Sequence, residues 1–460
     1  MSSSKPHVPP VDPDTLYTIP IADRPRHGPL FSKVFFPLAF NLGILGINAV
    51  QFCALPLLLL PVVGRGMFEA VIDWTKDSFG RLLILITVLF APTSLHLTTD
   101  SPSLASNLVE RDAHGRMTRI NLPDRLVIMA NHQCYTDWMY MWILACYAGH
   151  AEGLTILLKW SLRHVPFVGW GMRFFRFIFL RRSWAADRTN LTKALTRLGK
   201  DALSSDESTR HALTSASGST LGKGEDASLL PQVSDTGRSP LWLLIFPEGT
   251  ITSDEERAKS VKYANKEGID DLAVALHPRS TGLLFCLRTL LPQVPDLQLL
   301  DVTIGYPGVP LGKYPQYYYG LGSVFFNSVP PPTVHMHLRL HSDLSSIPSL
   351  NTPPTSKDDA SALAVDSSSQ DLATPQEARA FELWLRGVWQ EKDERLKRFI
   401  QDQKFEGEVS VVRIRQTKWY HWAAAFGAGG VGGVIVAGQA LTRIISRSSK
   451  STERRVRLGI

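Results

Sequence analysis

The chain has 460 residues, with 49 Lys and Arg against 42 Asp and Glu, for a formal net charge of +7. Hydrophobic residues make up 44% and charged residues 20%, which excludes a fully disordered chain, and the length suffices for one large domain or two ordinary ones. The four cysteines, at 53, 134, 146 and 286, include no C-x-x-C pair, which excludes a disulfide scaffold, a zinc ribbon and a thioredoxin-like site.

Apolar residues gather in blocks, the pattern of a membrane-associated protein. Residues 1–33 are polar and Pro-rich and read as a disordered arm. Residues 34–63 carry no charge; as a helix at ~1.5 Å per residue they span roughly 45 Å, more than the ~30 Å hydrocarbon core. Pro37, Pro56 and Pro61 interrupt that length. The run is too long and too far from Met1 for a secretory signal. A second apolar run starts at Leu82 and reads as the returning half of a membrane hairpin over 34–98, or as an ordinary core helix. From 99 to 405, short apolar runs alternate with helical stretches: 126–130, 154–158, 177–180, 241–246 and 299–306. Such runs predict an α/β domain with a sheet covered on both faces. Polar stretches at 204–240 and 342–374 read as mobile insertions, and 375–403 as a charged, solvated surface helix. Residues 406–418 form a basic linker, 419–441 a charge-free segment with Trp419, Tyr420 and Trp422 at its start, and 442–460 a basic tail.

Polar groups end several of the apolar runs, the usual place for an α/β active site. The run at 126–130 leads into Asn131-His132-Gln133-Cys134-Tyr135-Thr136-Asp137. A His and an Asp five apart cannot meet on an undistorted helix, but they can if the helix begins just after the His. Asp137 then holds one imidazole nitrogen and frees the other as a general base. Taken alone, a His before a helix reads as structural. Phe246-Pro247-Glu248-Gly249-Thr250 ends another run, at a turn able to offer backbone N–H groups to an anion. Arg181 and Arg182 end a third and suit phosphate oxygens, or are simply solvated.

N-H-x-x-x-x-D at 131–137, F-x-x-R at 179–182, F-P-E-G-T at 246–250 and V-T-I-G-Y-P at 302–307 resemble the four blocks of the glycerolipid acyltransferases. Val165–Trp170, Trp184 with Asp187, and His277–Gly282 point to the eukaryotic lysophosphatidic acid and lysocardiolipin acyltransferase-like branch. The resemblance covers about 120–310. It implies acyl transfer from acyl-CoA, as co-substrate, to the free hydroxyl of a lysophospholipid such as 1-acyl-glycerol-3-phosphate, with lysophosphatidylinositol or lysocardiolipin as alternative acceptors. His132 would be the base and Asp137 its orienting partner; Arg182, Glu248, Gly249 and Thr250 would bind the acceptor's glycerol phosphate. No metal, cofactor or acyl-enzyme is expected. Arg181 and Ile251 depart from the pattern beside the phosphate site, so the head group stays open.

Other features admit plainer readings. Val334–His341 alternates like a half-exposed strand and not a metal site. Gly427, Gly429 and Gly432 fit G-x-G-x-x-G but lack the acidic residue that a dinucleotide site needs, while Gly429 and Gly433 fit a packed membrane helix. The basic tail suits anionic lipid head groups better than nucleic acid. Cys134 has no second His to activate it. A hydrolase, which would use the same His on water, lacks support because G-x-S-x-G does not occur; a catalytically silent lipid-binding protein is the rival of another class. Acyl-CoA is cytosolic, so the domain should face the cytosol from the endoplasmic reticulum membrane, with the sequon at Asn190 left bare.

Overall fold

In a computed structural model the protein is described at residues 13–61, 64–181, 183–203, 240–351 and 373–427. The expectations for 428–460, most of both insertions, and Arg182 therefore lie outside the described residues.

The N-terminal apolar run forms helix α1 (Leu30–Ala54), continued by a 3-10 turn over Leu55–Leu59. Among the described helices, the stretch Leu30–Leu59 is the one long and apolar enough to cross a bilayer. Helix α2 (Gly64–Phe90) carries its charges before Leu82 and buries Leu82 through Ile86 against protein. Each such side chain contributes roughly 1.5–3 kcal/mol. The expected hairpin is thus a packed helix pair, with α2 lodged against both α1 and α4 (Asp137–Ala148). Gly43 lets the pair close, since a Cβ there would lie 2.5 Å from Leu82.

The chain then supplies β1 (Ser94–Thr99), the short helix α3 (Pro102–Ala105), a small hairpin of β2 (Val109–Arg111) and β3 (Met117–Ile120), and β4 (Arg125–Ala130) before α4. After α4 come β5 (Leu154–Lys159), α5 (Val168–Phe174), β6 (Ile178–Leu180), α6 (Trp184–Leu203) and β7 (Leu241–Ile245). Helices α7 (Asp254–Glu267) and α8 (Ser280–Leu290) lead to β8 (Gln298–Gly305) and β9 (Thr333–His341). Helix α9 (Pro375–Asp402), β10 (Ser410–Arg413) and α10 (His421–Ala424) complete the described chain.

Eight strands form one mixed sheet in the order β10-β1-β9-β8-β4-β7-β5-β6. The stretch from β8 through β4, β7 and β5 to β6 is parallel, whereas β9 is antiparallel to β8 and β10 to β1. The sheet thus reaches past both expected domain boundaries: β1 begins inside the presumed membrane region, and β10 lies in the presumed linker. Both carry the short apolar alternation of a strand, with β10 at the edge of the sheet and β1 next to it.

Alternate residues of the central strands feed two cores. Leu126, Ile128 and Ala130 face α1, α2 and α4, while Val127 and Met129 face α6, α8 and α9. This explains the uninterrupted apolar runs. Helix α9 departs from the expected solvated surface helix. Its charges mask a stripe of Phe381, Leu385, Trp389, Leu396 and Phe399, all buried in the second core. A capping box of Thr374 and Glu377 starts it. The expected insertion from 342 likewise begins as built structure, because Leu344, Ile347 and Leu350 are buried in the same core.

Candidate active site

The site opens at the carboxyl end of β4, the central parallel strand. Asn131 pins that end to its neighbour: its Nδ2 donates to the Ile304 carbonyl at 3.0 Å, and its Oδ1 accepts from the Ile304 N–H at 2.8 Å. The chain leaves the sheet at His132 and enters α4 at Asp137. A carboxylate in a helix's first turn is favoured by the helix dipole.

Asp137 is fully buried and turns back along the loop. Its Oδ2 accepts from His132 Nδ1 at 2.8 Å and from the N–H groups of Gln133 and Cys134 at 2.6 and 3.0 Å. Its Oδ1 accepts from the Tyr306 hydroxyl at 2.6 Å and the Cys134 thiol at 3.4 Å. Five donors offset the cost of burying this carboxylate. With Nδ1 committed, Nε2 carries the lone pair, and no described group bonds it. The imidazole side chain is 17% exposed, and its ring stacks on Phe246 with centroids 4.2 Å apart. A proton acceptor with a fixed tautomer and an open face is the geometry a general base requires. Cys134 is spent as a donor in this network, and burial pushes its thiol pKa well up, which disqualifies it as a nucleophile.

The second wall is the loop after β7. Thr252 bonds the His132 carbonyl through its N–H at 3.1 Å and its hydroxyl at 3.2 Å, tying that loop to the first. Gly249 adopts φ +73°, where a side chain is strained. Gly249 and Thr250 reach the surface, but Glu248 does not. Its side chain turns inward, 3% exposed, and its Oε1 accepts from Trp389 Nε1 at 3.3 Å. Burial pushes its carboxyl up to about 8, opposed by Trp389, the His132 N–H and Lys392. Glu248 therefore braces the loop from behind, and of these three residues only Gly249 and Thr250 reach the surface.

The end of β6 lies three strands from β4, roughly 14 Å along the sheet. Arg181 there places its guanidinium 4.4 Å from the Trp160 ring centroid, shared with Arg163 at 4.0 Å. Asp187 accepts from the N–H groups of Arg181 and Ser183 and shapes this turn.

Helix α9 supports the site from below. Besides Trp389, Lys392 donates to Asp301 at 2.5 Å and to the Val302 carbonyl at 2.6 Å, a fully buried pair. Asp393 accepts from the N–H groups of Ala273, Val274 and Ala275 at 2.9, 2.7 and 2.8 Å. Sequence reasoning did not single out Trp389 or Asp393, and it gave no role to Tyr306, which lies in the block at 302–307. Tyr306 alone had a signal, since it ends an apolar run as His132 and Phe246 do. In β9, His335 packs on Phe399 and Phe405, and His337 bonds Thr98, so this strand is more buried than expected. No group of three or more metal-ligating side chains occurs among the described residues.

The family model described as acyltransferase matches residues 115–305, and one described as acyltransferase C-terminus matches 372–425. The chain is 32% identical to the 2-acyl-1-lysophosphatidylinositol acyltransferase of Saccharomyces cerevisiae, over 71% of this chain and 74% of that protein. It is 26% identical to lysocardiolipin acyltransferase 1 of Danio rerio, over 64% and 58% of the two chains. It is 30% identical to the probable 1-acyl-sn-glycerol-3-phosphate acyltransferase 5 of Arabidopsis thaliana, over 50% and 48%.

Proposed function

The chain belongs to the glycerolipid acyltransferase family, and on that premise we propose that it moves a fatty acyl group from acyl-CoA to the free hydroxyl of a lysophospholipid, with His132 as base. The observation that carries this reading is the His132–Asp137 pair, with Nδ1 held and Nε2 open at the end of β4. His132 Nε2 takes the acceptor's hydroxyl proton as the oxygen forms a bond to the thioester carbonyl carbon. Collapse of the tetrahedral intermediate breaks the C–S bond, and the imidazolium returns the proton to the leaving thiolate. Asp137 keeps the imidazole in one tautomer and offsets its transient charge. An intact, braced pair of this kind favours catalysis over silent lipid binding.

Among acceptors, lysophosphatidylinositol has the support of the yeast relative's name; lysophosphatidate is the second reading. Arg182 and the Gly249–Thr250 surface are the proposed ligands of the acceptor's phosphate. The outward apolar stripe of α1, including Phe35, Leu38, Leu42 and Leu45, supports a bilayer as the place where both amphiphiles are met. The endoplasmic reticulum membrane, with the domain on the cytosolic side where acyl-CoA is made available, is the location we propose.

The test is acyl transfer by purified protein from radiolabelled acyl-CoA to a panel of lysophosphatidate, lysophosphatidylinositol and lysocardiolipin. His132→Ala should lower turnover by about 10²–10⁴ without loss of expression. Near-normal turnover by that variant sinks the mechanism, and no transfer to any of the three sinks the substrate class.

A further inference from the structure

Arg279 stands in the loop between α7 and α8, and that loop is held from several sides. Asp393 takes the three N–H groups of residues 273–275. Arg257 donates to the Ala275 carbonyl at 3.1 Å and pairs with Asp271, which also meets His277 Nε2 at 3.2 Å. The Arg279 N–H itself donates to the Pro247 carbonyl at 2.8 Å, joining this loop to the one after β7. These contacts fix the backbone and leave one cation unspent. Arg279 is exposed, and its guanidinium has no hydrogen bond or ion pair among the described residues. It lies across Gly249, where a Cβ would sit 3.7 Å from its Cδ and Nε and 3.8 Å from its Cζ.

The loop beneath it supplies no other charge at the surface, because Glu248 is buried and Ile251 is apolar. The same loop carries Phe246, whose ring stacks on His132. A phosphate lies only a few bonds from the hydroxyl of a lysophospholipid, so a cation over the loop that carries Phe246 is placed to reach it. A guanidinium offers paired donors that match phosphate oxygens. We propose that Arg279 is a specificity-determining residue that binds the acceptor's phosphate above Gly249 and Thr250. This rests on the reading of a lysophospholipid as acceptor.

The experiment measures equilibrium binding to the full chain in detergent micelles, with Arg279, Arg279→Ala and Arg279→Lys. The probes are lysophosphatidylinositol, lysophosphatidate, the monoacylglycerol with the same acyl chain, and coenzyme A. Arg279→Ala should weaken the two phosphorylated acceptors by about 10–100-fold, the worth of hydrogen bonds to a charged group. Monoacylglycerol and coenzyme A should change less than about twofold, and Arg279→Lys should fall between. Equal weakening of phosphorylated and unphosphorylated acceptors, in both variants, overturns the proposal, as does unchanged binding. Loss confined to coenzyme A overturns it too, by assigning the arginine to the donor's phosphates. Should the wild type bind these acceptors yet transfer no acyl group to them, the functional reading fails while the selective loss still decides the role of Arg279.

Discussion

The Tyr306 hydroxyl donates to Asp137 Oδ1 at 2.6 Å, from the end of the strand next to the one that delivers His132. The carboxylate that orients the base is thus itself oriented by a second strand, and the dyad is set by the sheet as much as by its own loop. Tyr306→Phe keeps the ring and removes only this donor. Turnover should fall about 10–100-fold with little change in acceptor KM. Unchanged turnover, or a loss that shows only as a raised acceptor KM, would contradict this role.

Glu248 makes stability depend on pH. Its folded carboxyl, raised from 4.5 to about 8, keeps a proton that the unfolded chain releases. Below the ordinary value this costs nothing; as pH rises through that window it costs progressively more, up to on the order of 3–5 kcal/mol. Glu248→Gln removes the cost and keeps an oxygen for Trp389. The melting temperature of the variant minus that of the wild type should therefore grow from pH 5 to pH 8 and then level off. A difference that stays constant across this range contradicts the assignment.

Asp393 closes three N–H groups at once, two of them buried. Asp393→Ala should cost about 3 kcal/mol or more in chemical denaturation. Asp393→Asn retains an oxygen for two of the three groups and should cost clearly less. Equal midpoints for the two variants would show that the loop finds other partners.

Topology has an internal reporter in Asn190-Leu191-Thr192. Asn190 is exposed on α6, with Leu191 buried beneath it. A domain on the cytosolic side carries no glycan there. An endoglycosidase-sensitive mobility shift that Asn190→Gln abolishes would put the domain in the lumen.

The strands were legible because burial on both faces leaves a run such as Leu126–Ala130 without a polar residue. His132 and Asp137 were legible because both partners sit in one short loop, so their spacing alone states the geometry. Glu248 was legible as a type but not as a direction. Its inward turn depends on the positive φ of Gly249 and on Trp389, which is remote in sequence. Helix α9 hid its role for a related reason. Lys392 and Asp393 look like solvated charges until Asp301 and the 273–275 backbone are placed beside them. Long-range partners of this kind leave no local pattern.

The pairing of β1 with β10 and β9 has a consequence for how the chain is made. Ser94–Thr99 leaves the ribosome hundreds of residues before Thr333–His341 and Ser410–Arg413, the strands that border it on its two sides. Through most of synthesis β1 has neither neighbour, and its Leu95 and Leu97 have no sheet to enter. Such an edge is a template for pairing with the wrong chain. A nascent protein released before residue 413 is thus an open-edged intermediate, and translation must run almost to the end of the described fold before that edge is sealed.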